Sequence, residues 1–513
     1  MCSFIHHCGI PADVLGDVSP LTDSFNISTS QTINNKVDYR DLIPKKDRVI
    51  NGYPTGGIQG GHLSISGPDK PVVTVGPSGK LISYNLAVGK DNAPAIVNID
   101  GGTIELQHYV ETGASGTRYD IFEPSSDGSI SPFFTSTLIN SGSVLNVING
   151  GILSDDGTML VGYQAPPLDI ANPVATVNVH GPNSKIMVPN IYLGAYNTSS
   201  NGIMNITDGG IVQADNVWFG SGDYQGHIVV SGEESALFAK YNISTQVSPV
   251  NLDGSRNVDF GSILIKNKGE LNTPQLDLGL AGKRTVNNAS VSLDIGGHDN
   301  EAPQEPGILN VTDIVLGQYT STITLNHTGK DFDLKSNISR STSRWLDPDR
   351  PVGIINAMNG TTNLSGDNSG FDGQINISSA AQINVNSKNN IGSATVTNNG
   401  VLGITSATDW VFDTTMSGNG ILDVNAAGNA FSFRNTTDTL GFTGTLKLSD
   451  TTFNLSDTNT SVLSAVSLSA GTGSLTNVGV GTQSIKGLAF NGGAIDFGAI
   501  TQGAEKTDSQ ITV

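Results

Sequence analysis

One phrase returns along this chain. Residues Val73 to Gly89 read VTVGPSGKLISYNLAVG, and residues Val177 to Gly194 read VNVHGPNSKIMVPNIYLG. Both run V-x-V, a Gly-Pro turn, Lys-(Leu/Ile), three residues, Asn, then apolar-x-apolar-Gly. Looser copies are LNVINGGILSDDGTMLVG (Leu145 to Gly162), MNITDGGIVQADNVWFG (Met204 to Gly220) and SILIKNKGELNTPQLDLG (Ser262 to Gly279). Each copy is the length of one coil of a stacked β-structure. Self-similarity at this period constrains the architecture before any single residue does.

In Val73-Thr74-Val75 and Val177-Asn178-Val179, apolar and polar residues alternate with period two, as in a strand with one buried face. Gly-Pro, Asp-Gly-Gly and Asn-Gly-Gly clusters follow and turn the chain, because Gly takes positive φ cheaply and Asn tolerates it. A second short apolar run ends in another glycine, at Gly89, Gly194 and Gly220. No copy sustains a helical period. One copy cannot bury its apolar face alone, whereas stacked copies pair backbone and core with the coils above and below. The expected fold is all-β: a right-handed parallel β-helix, or β-solenoid, with an N-terminal cap. The handedness comes from the usual crossover rule and not from these residues.

Composition fits that fold. The chain has 62 Gly in 513 residues, only 14% charged residues and 6% aromatic. Its 37% apolar content in alternating runs is too high for disorder. The formal charge of −20 disfavours nucleic acid or an anionic membrane surface as partner; its plainest meaning is a well-hydrated surface. Cys2 and Cys8 are the only cysteines. The stretch Cys2-Ser-Phe-Ile-His-His-Cys8 has metal-ligand residue types but matches no common zinc spacing, so an unstructured tail or a small disulfide loop is expected there. No run approaches the ~20 apolar residues of a membrane span. No basic n-region followed by an apolar h-region is visible near Met1.

Four phrases toward the C-terminal side carry a resemblance. They are Ile323-Thr-Leu-Asn-His-Thr-Gly329, Gly360-Thr-Thr-Asn-Leu-Ser-Gly-Asp-Asn-Ser-Gly-Phe-Asp-Gly373, Phe442-Thr-Gly-Thr-Leu-Lys-Leu448 and Phe490-Asn-Gly-Gly-Ala-Ile-Asp-Phe-Gly498. They resemble the passenger domains of Gram-negative autotransporters, the type V secretion proteins, nearest the AIDA-like and pertactin-like adhesins. The resemblance takes in roughly residues 60 to 500. It implies a β-helix exported through its own C-terminal outer-membrane barrel and shown at the cell surface, or secreted. The signal peptide and barrel of that family are missing from this sequence. The chain therefore reads as a passenger without its export machinery: an excised fragment, an incomplete gene product or a stand-alone relative.

Along the chain, residues 1–50 are expected to form a tail and cap. Residues 51–337 are expected to form a β-helix with long coils and insertions such as Gln107 to Pro132 and the polar loop Gly297 to Pro306. Residues 338–351 read as an irregular linker, and 352–513 as a β-helix of shorter, Ser/Thr/Asn-rich coils. The linker holds Arg340, Arg344, Trp345, Asp347, Asp349 and Arg350, with Pro348 and Pro351. A basic and aromatic loop can contact a partner; a kinked connection explains it as well.

No residue stands out as catalytic, cofactor-binding or metal-binding. Ser369 in Gly366-Asp-Asn-Ser-Gly370 resembles the Gly-Asp-Ser-Gly of serine-protease autotransporters, but an extra Asn separates Asp367 from Ser369, and a repeat turn accounts for the phrase. Polysaccharide lyases and glycosidases on β-helices need converging carboxylates. Asp100, Asp208 and Asp215 are available, yet Asp100 and Asp208 occupy the Asp-Gly-Gly turn slot. Tryptophans for a sugar platform are few: Trp218, expected to point outward, Trp345 and Trp410. The nonapeptide calcium array of β-rolls is absent. The expected function is a non-enzymatic adhesin-like passenger. Its partners would be host or bacterial surface glycans or proteins, with self-association, no nucleic acid, and the outer membrane only through the missing barrel. The alternative is a β-helical polysaccharide lyase or glycosidase. Dispersed polar ladders mark the first, and three or more charged residues converging on one face mark the second.

Overall fold

The computed structural model describes residues 24–39, 62–83, 85–89, 93–107, 135–162, 174–194, 200–220, 224–245, 257–279, 288–317, 320–342, 353–439, 441–498 and 509–513, with short strands at Asp17–Val18, Val49–Ile50 and Tyr53–Pro54. Parallel strands dominate. The one α-helix among the described residues is Asp457–Leu463. The molecule divides into two units, Met1–Val291 with Gly307–Asn310, and Ser292–Pro306 with Val311–Val513.

In the first unit the earlier repeats fold into coils of three short strands, and from Ile211–Phe219 onward the second and third run together as one longer strand. Val72–Val75 pairs in parallel with Ile96–Asp100, which is followed in the same sheet by Val144–Ile148, Val174–His180, Asn201–Thr207 and Gly226–Ser231. Lys80–Ser83 belongs to a second series that continues through Thr103–Leu106, Ile152–Asp155, Lys185–Met187 and Ile211–Phe219. Asn85–Val88 follows His62–Ile65 in a third that continues through Thr135–Ile139, Thr158–Val161 and Asn190–Leu193.

The period-two alternation does what the sequence requires. Val75, Ile99, Val147, Val179, Ile206 and Val230 fall in one inward row, and none has exposed surface. Leu81, Ile104, Leu153, Ile186 and Val212 form another on the second series. Each such side chain gains roughly 1.5–3 kcal/mol on burial, so the core lengthens coil by coil without ever thickening.

Gly89, Gly194 and Gly220 lie where expected, at corners with positive φ. Gly194 shows why: at φ +58 a Cβ would collide with the Gln225 carbonyl of the next coil. Asp208, in the Asp-Gly-Gly slot, is itself left-handed at φ 51.

The coil stack begins earlier than residue 51. Ser24–Ile27, Gln31–Ile33 and Lys36–Asp38 pair in parallel with His62–Ile65, Val72–Val75 and Lys80–Ser83. The first coil thus lies inside the segment assigned to tail and cap. Its strands are three or four residues long, too short to show an alternation in the sequence. Asp17–Val18 pairs antiparallel with Ser24–Ile27 and covers that strand's free edge, as a cap does.

In the second unit the coils are shorter. Ile354–Leu364 pairs with Gln374–Val385, and a five-stranded sheet runs Trp410–Phe412, Ala430–Phe433, Thr452–Leu455, Leu475–Val478, Ala494–Asp496. The loop from Gly297 to Pro306 is polar, as read, and the Asn326 side chain holds it by donating to the carbonyls of His298 (2.8 Å) and Glu301 (2.9 Å). The start of the expected linker is instead a coil strand: Asn337–Arg340 pairs in parallel with Asp313–Leu316. Residues 343–352, and with them Arg344, Trp345, Asp347, Asp349 and Arg350, lie outside the described residues, as do Cys2, Cys8 and residues 108–132 of the first insertion.

Candidate binding surface

Alternation that sends Val75 and its equivalents inward sends their neighbours outward. In the first unit that outward row reads Thr74, Asn98, Asn146, Asn178, Asn205. Parallel, in-register pairing brings identical side chains one coil apart, within reach of each other. Asn146 donates its Nδ2 to Asn98 Oδ1 at 2.8 Å, Asn178 to Asn146 at 2.8 Å, and Asn205 to Asn178 at 2.9 Å. Asn98 donates to Thr74 Oγ1 at 3.3 Å. Each amide keeps a second N–H and a second lone pair free of the row, because the side chains are half-buried and not closed over. Hydrogen bonds linked this way polarise one another in one sense.

The second unit repeats the device. Asn363 donates to Asp331 (2.7 Å) and Asn384 to Asn363 (2.9 Å). Asn376 donates to Asn356 (2.8 Å), Asn359 to Asn326 (2.8 Å) and Asn477 to Asn454 (2.9 Å). The signal for these rows was in the sequence, as Asn at one fixed offset of successive copies. Its meaning depends on register.

The candidate acids do not converge. Asp100 ends the strand Ile96–Asp100 and accepts the Asn149 amide at 2.7 Å. Asp208 follows the strand three pairings further on, with His180 Nδ1 3.1 Å from its carboxylate. Three coil spacings make about 14 Å, beyond the separation a paired-carboxylate hydrolase uses. Asp215 sits at a strand irregularity in the other sheet, its amide donating to the Pro189 carbonyl at 2.7 Å. Asp277 and Asp294 are buried carboxylates the sequence did not single out. Burial raises the Asp277 pKa and the Gln275 amide, 2.7 Å away, opposes it. Asp294 accepts from His298 (2.7 Å) and Ser292 (2.8 Å). Among the described residues no three His, Cys, Asp or Glu side chains come together as a metal site.

Gly366-Asp-Asn-Ser-Gly370 is a turn, and the extra Asn is its structural centre. Asn368 is buried; its Oδ1 accepts the Ile338 amide and its Nδ2 donates to the Asn390 carbonyl, both at 2.7 Å. The Ser369 hydroxyl and amide donate to Asp367 and hold that carboxyl below the usual range.

Trp218 does point outward. Its ring stacks on Tyr192 of the neighbouring coil, centroids 4.5 Å apart and 16° from parallel, in a row that continues to Leu160 and Leu138. Trp410 is buried in the core of the second unit, in register with Phe431. Arg340 is engaged by Asp372 at 2.7 Å.

No family model matches the chain. Over 427 residues it is 34% identical to the uncharacterized protein YuaQ of Escherichia coli strain K12, an alignment that takes in 82% of this chain and 28% of YuaQ. Over 345 residues it is 28% identical to the uncharacterized lipoprotein YdeK of the same strain, 64% of this chain and 24% of YdeK. The chain therefore spans about a quarter of the length of these curated relatives. No helix among the described residues is long and apolar enough to cross a membrane.

Proposed function

We infer that this chain is an interaction module of the bacterial envelope, an adhesin-like passenger of the autotransporter kind. It attaches to hydroxyl-rich surface glycans or to proteins without chemistry on them. The observation that carries this reading is the asparagine row from Asn98 to Asn205. Its free N–H groups and lone pairs alternate along the surface, and sugar hydroxyls, which both donate and accept, match that alternation. Many weak contacts spread over several coils give avidity that no single residue holds. The description of YdeK as a lipoprotein supports an envelope setting.

The test is binding of the purified chain to immobilised bacterial and host glycans, paired with a reducing-end assay. The expected result is retention that falls severalfold in an Asn146→Ala, Asn178→Ala double variant, with no sugar released. Release that disappears in Asp208→Asn or Asp215→Asn would replace this reading with that of a polysaccharide-degrading enzyme.

A further inference from the structure

Where the second and third series of the first unit join in one strand, one coil holds a residue more than its neighbours. Ala214 and Asn216 bracket Asp215 alone, whereas their in-register partners Ala239 and Asn242 bracket Lys240 and Tyr241. On the following coil Asn272 and Gln275 bracket Thr273 and Pro274, while Phe238 and Asn242 bracket three residues. An extra residue in a ladder bends the strand and re-aims its side chains. Here Tyr241 is 53% exposed, and Phe238 on the same strand is 37% exposed. Tyr39, Tyr192, Phe219 and Phe260 of the same unit are buried.

The two exposed rings have polar company. Lys240 Nζ lies over the Tyr241 ring, 4.8 Å from its centroid. Tyr241 first, and then the Asp215 carboxylate of the preceding coil, favour the charged ammonium and raise its pKa. The ammonium holds one face of the ring, and the exposed part of Tyr241 presents the other. Phe238 is in register with Gln213, an exposed amide that both donates and accepts.

This chemistry selects among ligands. Lys240 and Asp215 offset each other, so an ion gains little from charge here, and an anionic polymer is opposed by the formal charge of −20 on the chain. An apolar peptide would cover Lys240, Asp215 and Gln213 without offering them partners. A neutral sugar ring meets both demands. One face of a β-linked pyranose is C–H only and stacks on an aromatic ring, and its hydroxyls around the rim donate to a carboxylate and exchange bonds with an amide.

We propose that Tyr241 and Phe238 form a stacking site for an uncharged pyranose, whose hydroxyls are met by Gln213 and Asp215 while Lys240 fixes the Tyr241 ring. The site rests on the reading of the chain as a glycan-binding module. It adds a preference that the asparagine row does not supply, for neutral rings with an apolar face over anionic sugars.

The probe is cellotetraose at millimolar concentration, followed by saturation transfer from the full chain in NMR, with tetragalacturonate as its anionic counterpart. The expected result is transfer to the ring C–H protons of cellotetraose, weaker transfer to tetragalacturonate, and an affinity for cellotetraose that falls roughly tenfold in Tyr241→Ala and is kept in Tyr241→Trp. Tyr241 is exposed, so both variants should keep the melting temperature of the parent chain. No transfer to the parent, equal transfer in Tyr241→Ala, or stronger transfer to tetragalacturonate overturns the proposal. A signal that survives Tyr241→Ala and falls in the Asn146→Ala, Asn178→Ala variant removes this site and leaves the asparagine row standing. Transfer that depends on Tyr241, in a chain that no immobilised glycan retains, upholds the site and removes the wider reading. Self-association that Tyr241→Ala abolishes assigns the rings to a protein contact and overturns the proposal too.

Discussion

Asn178 donates to Asn146 across one coil spacing at 2.8 Å and accepts the same bond from Asn205. It is an interior member of the amide row, so replacing it interrupts two of the row's bonds at once.

Asn178→Asp removes the donor to Asn146 and sets a carboxylate against its Oδ1. The expected loss is roughly 1–3 kcal/mol of stability at neutral pH, against about 1 kcal/mol for Asn178→Ala, which leaves water free to enter. Urea unfolding of the two variants side by side checks this. Equal stability of both with the parent chain means that the row contributes nothing to folding.

Gly194→Val places a branched side chain at φ +58, against the Gln225 carbonyl. The expected cost is on the order of 1–3 kcal/mol, since the left-handed corner and the close approach both disfavour it. The readout is the denaturant midpoint, and an unchanged midpoint is the result that would count against the stacked corner.

Asn368 and Ser369 are neighbours with opposite expectations. Asn368→Ala orphans the Ile338 amide and the Asn390 carbonyl, and should cost about 2–4 kcal/mol. Ser369→Ala removes an exposed hydroxyl of a turn and should change stability by less than ~0.5 kcal/mol. Peptide hydrolysis by the parent chain that is absent in Ser369→Ala would make Ser369 a nucleophile.

His327 is fully buried, its Nε2 2.9 Å from Thr362 Oγ1 and its ring against Phe332. Burial lowers its pKa to about 4 from the ordinary 6.5. The unfolded chain therefore binds a proton that the folded chain refuses between those values. The contribution of His327 is whole above pH 6.5, is lost as pH falls toward 4, and changes no further below that. The full swing is on the order of 3 kcal/mol. His327→Gln should flatten the stability profile between pH 6.5 and 4, measured by thermal melts across that range.

The solenoid could be read from residues because its two determinants are local. Alternation in Val73-Thr74-Val75 sets the buried face, and Gly194 and Asp208 mark corners whose φ few residues tolerate. What could not be read depends on register. Ser24–Ile27 is too short to show a period, yet pairing with His62–Ile65 makes it a coil strand. Trp410 lies in a Trp-Val-Phe strand whose two faces look alike in sequence, and only stacking on Phe431 turns it inward. Asn98 and Asn205 were visible as polar positions, and only parallel pairing joins them into one row. The burial of His327 gave no signal, since nothing local foretells that Gly360 will pack against its ring.

The row from Thr74 to Asn205 has a head and a tail. Every amide in it donates toward the chain's N-terminus, so its two ends present different chemistry: an acceptor hydroxyl at Thr74 and a spare donor-acceptor pair at Asn205. A linear polymer laid along this surface would meet the same vector at each step. Reversing the polymer would reverse every match. On the proposed reading as a binding surface, a polymer would therefore be held in one orientation and refused in the other.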